Sequence, residues 1–300
     1  MNDGISIRPL TTYDEFLICE SIQRQAWKMT DERDVVPAHM LKPIADHGGI
    51  VLGAFDEQAT LIGFVFGFVG RTDDERAEWI GTPYILCSEM MGVLPEYRSR
   101  SVGYRLKLAQ REFALRQGYR LMTWTYDPLL SLNANLNICK LGCIVRHYVE
   151  DAYGALGGIY AGMSTDRFAI EWWLGSRHVE EIAARPGAPA DVNAWLARNV
   201  RVVNPSTGGD DGLPRPGNFD LDAGATEFIV EFPSDIQAVK DADMGLAIAW
   251  RNRTRELFEA AFKAGYAVMA YGRSGQQRGP CSYYLLSQEL DIPSMARGTA

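Results

Sequence analysis

Residues 93 to 106 read Val-Leu-Pro-Glu-Tyr-Arg-Ser-Arg-Ser-Val-Gly-Tyr-Arg-Leu. An apolar strand runs into a proline, crosses a short turn of small and basic residues, and becomes a helix. A helix that begins this way leaves its first backbone N–H groups without intrahelical partners, and its dipole adds partial positive charge at the same place. Such a start is a ready receptor for a diphosphate. Gly103 lets backbone and ligand come close, and Arg98, Arg100, Arg105 and Lys107 supply formal charge nearby. A turn of small residues alone is a common connector. The full order of strand, Pro95, basic turn and apolar helix is what points to a phosphate pocket.

The patterns on either side of this turn set the fold class. Ile5 to Pro9 alternates as a short strand, and Thr11 or Thr12 caps a helix with the apolar stripe Phe16, Cys19, Ile22 and Ala26. Pro37 opens a second helix that stops before Gly48 and Gly49. Ile50 to Phe55 and Thr60 to Val69 are apolar strands joined as a hairpin. Asp73 to Glu78 reads as a polar loop, and Tyr84 to Val93 as the strand entering the turn. The next helix carries Val102, Leu106, Ala109 and Phe113 on one side and closes at Gly118. A strand from Arg120 to Tyr126, a short helix from Ser131 to Lys140 and a strand from Cys143 to Glu150 follow. The class is α/β.

A Gly-rich loop from Tyr153 to Gly162 leads to a strand over Arg167 to Leu174. Between Arg185 and Gly224 the composition shifts to Pro, Gly and Asp, with Asn204 to Gly212 at its centre. The chain therefore divides into a domain over 1–175, a linker over 176–225 and a C-terminal α/β extension over 226–300. The extension holds a strand at Glu227 to Phe232, a long helix from Met244 to Ala264 and two further strands. It reads as a partial second lobe or as a cover over a substrate cleft.

Composition excludes several classes. With 47% apolar residues in 300, the chain is a soluble globular one with ample core. A net charge of −8 argues against general nucleic-acid binding, and no apolar run approaches a membrane span. The basic island from Arg98 to Arg120 suits a small polyanion. No signal-peptide pattern opens the sequence, so a cytoplasmic protein is the expectation. The five cysteines are odd in number, and Cys139 and Cys143 lack a second pair, so no metal site is expected.

The run Arg98-Ser99-Arg100-Ser101-Val102-Gly103 resembles the acyl-CoA motif of the GNAT superfamily of N-acetyltransferases, in which Arg or Gln is followed by two residues, Gly, one residue, then Gly or Ala. Ser101 stands where the first glycine is usual, and a serine does not take a positive φ freely. The resemblance implies a mixed, mostly antiparallel sheet flanked by helices, and acyl transfer from acetyl-CoA or another acyl-CoA to an amine. It implies that the carrier lies along the strand before the turn. Backbone N–H groups from Met91 to Val93 would then polarise the thioester carbonyl, while Arg98, Ser99, Arg100, Ser101, Val102, Gly103 and Tyr104 hold the diphosphate. Further runs resemble a longer subfamily associated with N-acylamino-acid racemases: Ser88 to Val93, Asn135 to Gly142, Tyr148 to Gly154, Pro233 to Gln237 and Ala249 to Arg251. That likeness implies acetyl or succinyl transfer to a small primary amine such as an amino acid.

Glu89 is the candidate general base. A carboxylate in so apolar a strand is out of place unless paired or functional, and desolvation would raise its pKa toward the useful range. By alternation it shares a face with Cys87, Met91 and Val93. The superfamily's usual acid is a tyrosine four residues before the Gly of a Lys-Leu-Gly run; here that position is Ile138. Tyr148, Tyr153 and Tyr160 lie downstream, and Tyr153 is taken as the substitute. Asn133 is a ligand contact or a cap. Trp124 and Tyr126 wall an acyl pocket or serve the core. Arg251, Arg253 and Arg255 read as a solvated helix face, or as receptors for a carboxylate. The partners expected are a small-molecule amine and acyl-CoA, with a homodimer left open. The rival readings are a GNAT-like binding or assembly protein without catalysis, and transfer to a protein or peptide amine.

Overall fold

A computed structural model describes residues 4–297 apart from 30, 99, 155, 156, 158–160, 185, 186, 222, 223 and 275–279, with Pro293 and Arg297 described by their backbone alone. Strand β1 (Ser6–Pro9) yields to helix α1 (Tyr13–Trp27) at Thr12. The Thr12 hydroxyl accepts from the Glu15 N–H and the Glu15 carboxylate accepts from the Thr12 N–H, a reciprocal cap. Helix α2 (Ala38–Asp46) begins behind Pro37, and β2 (Ile50–Phe55) and β3 (Leu61–Arg71) form a hairpin.

The stretch expected as a polar loop is instead the start of helix α3 (Glu75–Ile80). Asp74 caps it by accepting from the Arg76 N–H, Gly81 closes it at φ 71°, and Trp79 and Ile80 sink beside Trp173. Its charged first turn hid those two anchors. Then come β4 (Tyr84–Val93), α4 (Val102–Arg116), β5 (Leu121–Tyr126) and α5 (Ser131–Ala134), which widens into a π turn over Asn135–Lys140. Strands β6 (Ile144–Val149) and β7 (Arg167–Trp173) complete the first half.

The segment 176–225 carries α6 (Arg177–Ala184), β8 (Ala190–Asp191), α7 (Val192–Leu196) and the small pair β9 (Thr207–Gly208) and β10 (Pro214–Arg215). The tail adds β11 (Glu227–Pro233), α8 (Ile236–Ala242), α9 (Met244–Lys263), β12 (Ala267–Arg273), β13 (Cys281–Ser287) and α10 (Ile292–Arg297).

The main sheet runs β1-β2-β3-β4-β5-β7-β6-β12-β13-β11, with β8 beside β12. It is mixed and mostly antiparallel; the parallel pairs are β4–β5 and β12–β8. The tail strands thus extend the sheet begun by the first half. One core runs from Leu52 and Val65 through Phe168 to Trp250 and Tyr284. Alternation assigns the faces: Leu52 and Ala54 join the core under α4, α5 and α9, whereas Val51 and Phe55 join the one under α1 and α2.

Candidate functional site

β4 and β5 are parallel neighbours with α4 as their crossover, and ligands of such units bind beyond the carboxyl ends of the strands. Their ladder has two pairs, Leu86 with Met122 and Cys87 with Thr123. β4 continues to Val93 and β5 to Tyr126 without another pair, so the strands part in a V. From Ser88 onward the β4 edge that faces β5 has no ladder partner there. On its other edge, β3 sets Gly67 opposite Ser88 and Phe66 opposite Met90. Glu89 is left with no opposite number, a bulge that bends β4. Gly67 is required there, because a Cβ would lie 2.8 Å from the Cys87 carbonyl oxygen.

The bulge corrects the face expected for Glu89. One inserted residue reverses every side chain after it. Met91 packs against Gly103, where a Cβ would come within 3.1 Å of its Cε, and Val93 joins the same core. Both therefore face α4. Glu89 stays with Cys87 on the opposite face, where its charge helps raise the Cys87 thiol, itself pushed up mainly by burial. The Glu89 side chain is open to solvent at the mouth of the V, yet the protein around it holds its pKa above the ordinary carboxylate value through desolvation. Farther along this face Glu171, opposite Thr123, is buried against Arg146 at 2.9 Å.

The turn after β4 has the shape of an anion receptor. Ser101 takes the left-handed conformation, φ 57°, and makes no side-chain cap. A serine held there is strained, as the glycine it replaces would not be. The N–H groups of Val102, Gly103 and Tyr104 have no partner among the described residues. The cations are spread more widely than their spacing suggested. Arg98 donates to the Ala26 carbonyl at the end of α1, and Arg105 to the Ile5 carbonyl. Arg100 lies over the Tyr97 ring at 5.2 Å. Ser99 lies outside the described residues, as does Tyr160. Between α4 and the π turn, the Tyr104 hydroxyl and the Asn135 Oδ1 are buried without partners among the described residues. Asn133 is half-buried nearby, its N–H on the Leu130 carbonyl.

Lys107 is not at the turn at all. It is 3% exposed, and its Nζ donates to the Ser88 Oγ at 2.7 Å while sitting 3.5 Å over the Trp124 ring. Ser88 also donates to Gln110 Oε1 at 2.9 Å. Ser88 and Trp124 are the first residues past the last ladder pair, so this ammonium fills the apex of the V. A signal was present in the sequence: Gly103, Lys107, Gln110 and Ala114 form a second inward stripe beside the apolar one.

Tyr153 comes to the edge of the V on the Glu89 face, its hydroxyl 2.8 Å from Thr125 Oγ1. Its loop is fixed from below. Thr165 Oγ1 accepts from the Tyr153 N–H, Asp151 accepts from Thr165, and Asp166 accepts from the Asp151 N–H. Asp166 in turn holds the Tyr148 hydroxyl and both Nε and Nη2 of Arg255 from α9. Tyr148 is thus committed to packing, with its phenol pushed far up, chiefly by burial. Ile138, at the usual acid position, is buried in the core, as is Tyr126, and Trp124 stacks edge-on to Trp172 at 5.7 Å. The solvated face expected for the α9 arginines is corrected: Arg251 is buried on Asp127 at 2.6 Å and Arg255 is clamped, while Arg253 pairs at the surface with Glu256. Surface hollows of about 440 and 290 Å³ lie elsewhere, beside His178 and Met269 and beside Leu10 and Phe113, and neither is lined by a residue of the V.

No protein-family model matches the sequence, and no curated protein matches it. Solved structures similar in shape include a GNAT-family acetyltransferase from Streptococcus pneumoniae, 15% identical, covering 56% of this chain and 98% of its own at a TM-score of 0.44. A GNAT-superfamily phosphinothricin acetyltransferase from Sinorhizobium meliloti, solved with acetyl-CoA, is 17% identical, with 56% and 87% covered and a TM-score of 0.43. Arabidopsis thaliana NAA60 with acetyl-CoA is 16% identical, with 56% and 98% covered and a TM-score of 0.46. Likeness of this extent leaves fold and chemistry to be argued from the chain's own strands and side chains.

Proposed function

We propose that this chain is an acyl-CoA-dependent N-acyltransferase of the GNAT type. It moves an acetyl or succinyl group from coenzyme A to a small primary amine, and an amino acid is the acceptor implied by the runs that resemble the racemase-associated subfamily. One observation carries the reading: parallel strands that part after two ladder pairs, beside a helix whose first amides have no partner among the described residues. The V admits a narrow, extended arm, and the helix start suits the diphosphate at its end. Val102, Gly103 and Tyr104 would hold that diphosphate through their N–H groups, with Arg100 alongside. The open β4 edge from Ser88 to Val93 supplies N–H donors for a thioester oxygen.

Glu89 sits at the bulge on the face away from α4, where an acceptor reaches the V without crossing the carrier. An acceptor ammonium must lose a proton before its nitrogen attacks. A carboxylate with a raised pKa and no hydrogen-bond or ion-pair partner among the described residues is suited to take it. Tyr153 flanks the same opening and orients the acceptor or relays a proton.

The test is thiol release from acetyl-CoA and succinyl-CoA across a panel of amino acids and simple amines, run beside calorimetry with CoA. Turnover with at least one pair, and CoA heat lost when Gly103 is made bulky, are expected. Tight CoA binding with no turnover for any pair would leave a binding protein in place of an enzyme.

A further inference from the structure

The usual proton donor position holds Ile138, which is buried and cannot donate. A thiol leaves unaided near neutral pH, but a proton or positive charge that meets the departing sulfur speeds it. On the face of the V that carries α4, Lys107 stands at the apex, touching Ser88 on one strand and Trp124 on the other. Among the described residues it makes no ion pair with a carboxylate. An ammonium this deeply buried is costly without a counter-charge, and hydroxyl and indole contacts offset only part of that cost. A structural role alone would be served as well by methionine or leucine.

We propose that Lys107 is the proton donor to the departing sulfur of the acyl carrier, taking the place of the missing tyrosine. This rests on the acyltransferase reading above. The acceptor nitrogen bonds to the acyl carbon, the carbon–sulfur bond breaks, and its electron pair leaves on sulfur. The Lys107 Nζ gives that sulfur a proton, which yields free thiol and a neutral lysine. Of the two protons the acceptor ammonium sheds, Glu89 takes the first and passes it to solvent, and the second restores Lys107. No further reactant is needed.

The surroundings suit a group that must both hold and release a proton. Burial pulls the Lys107 pKa down to about 7. The titratable neighbour bearing on it is Cys143, at the entry to β6, whose thiol burial keeps protonated. Tyr104, one turn earlier on α4, has its phenol raised by burial and stays neutral. On β4, Cys87 and Glu89 turn to the opposite face; β3 contributes Val65 and Gly67, and β5 contributes Trp124. Gln110 Oε1 lies 3.4 Å from the ammonium and shares the Ser88 hydroxyl.

The experiment compares the full chain with Lys107→Met and Ser88→Ala, measuring thiol release against pH and acyl-CoA affinity by calorimetry. In Lys107→Met, kcat should fall about 10²-fold, as loss of a general acid does, with acyl-CoA affinity within about 3-fold. The wild-type kcat/KM should decline on the alkaline side, and that limb should vanish in Lys107→Met. Ser88→Ala keeps the charge but removes its acceptor, so the limb should move to lower pH. A Lys107→Met protein that matches wild type in rate and keeps the alkaline limb overturns the proposal. Should Lys107→Met fail to fold, a wild-type limb unmoved by Ser88→Ala overturns it equally. Wild type that binds CoA but never releases thiol brings down the acyltransferase reading, and this inference with it.

Discussion

Two cations are buried on long helices of this molecule, and they are treated oppositely. Lys107 on α4 is 3% exposed and meets a hydroxyl and an indole; Arg251 on α9 is 2% exposed and meets the Asp127 carboxylate at 2.6 Å. Burial lowers the pKa of both, but Asp127 more than reverses this for Arg251, whereas nothing does so for Lys107. The paired arginine is permanently charged and ties the end of β5 to the tail. The unpaired lysine is left able to change its charge. Where the fold is closed by a counter-ion it is architecture; where it is left open, between two parted strands, it is available for chemistry.

If that division is right, slot substitutions cost activity and paired-region substitutions cost stability. The largest effect expected is at Glu89. Glu89→Gln should lower kcat by about 10²- to 10⁴-fold, while its melting temperature stays level or rises, since a desolvated carboxylate is removed. Steady-state rates and a thermal melt check both halves. On the other side, Asp127→Asn strands the Arg251 charge and should destabilise the fold by about 3–5 kcal/mol, read from denaturant titration. A variant at Asp127 that keeps its stability and loses turnover would break the comparison outright.

Lys107→Met sharpens it. The folded-state pKa of about 7 lies below the ordinary 10.5, so between these values the unfolded chain holds the extra proton. The contribution of Lys107 to stability therefore rises with pH across that window. The methionine variant should gain most over wild type at pH 6.5 and least toward pH 10, which paired melting curves would show. Smallest is Ser101→Gly, which relieves a left-handed serine and should stabilise by about 1 kcal/mol without loss of acyl-CoA affinity.

Much of the first half was legible because its signals are local. Thr12 capping α1, Pro37 before α2 and the stripe of Val102, Leu106 and Ala109 need only neighbours along the chain. The parting of β4 from β5 was not, because a bulge at Glu89 exists only in the pairing of two strands, and single-strand alternation put Met91 and Val93 on the wrong side. Arg251 and Arg255 looked solvated for a similar reason. Their partners Asp127 and Asp166 lie 124 and 89 residues away in sequence. Lys107 was counted with the basic turn by proximity in sequence; its helix phase, shared with Gln110 and Ala114, assigns it inward.

The bonds from Arg255 through Asp166, Asp151 and Thr165 to Tyr153 carry a consequence for how the protein is made. During translation, Tyr153 leaves the ribosome about a hundred residues before its anchoring arginine. Until α9 emerges and docks, Asp166 lacks its Arg255 ion pair, and the loop beside the V rests on the local bonds among Asp151, Thr165 and Asp166 alone. A nascent or C-terminally clipped chain can thus pair β4 with β5 and still lack the Arg255 brace beneath the Tyr153 loop.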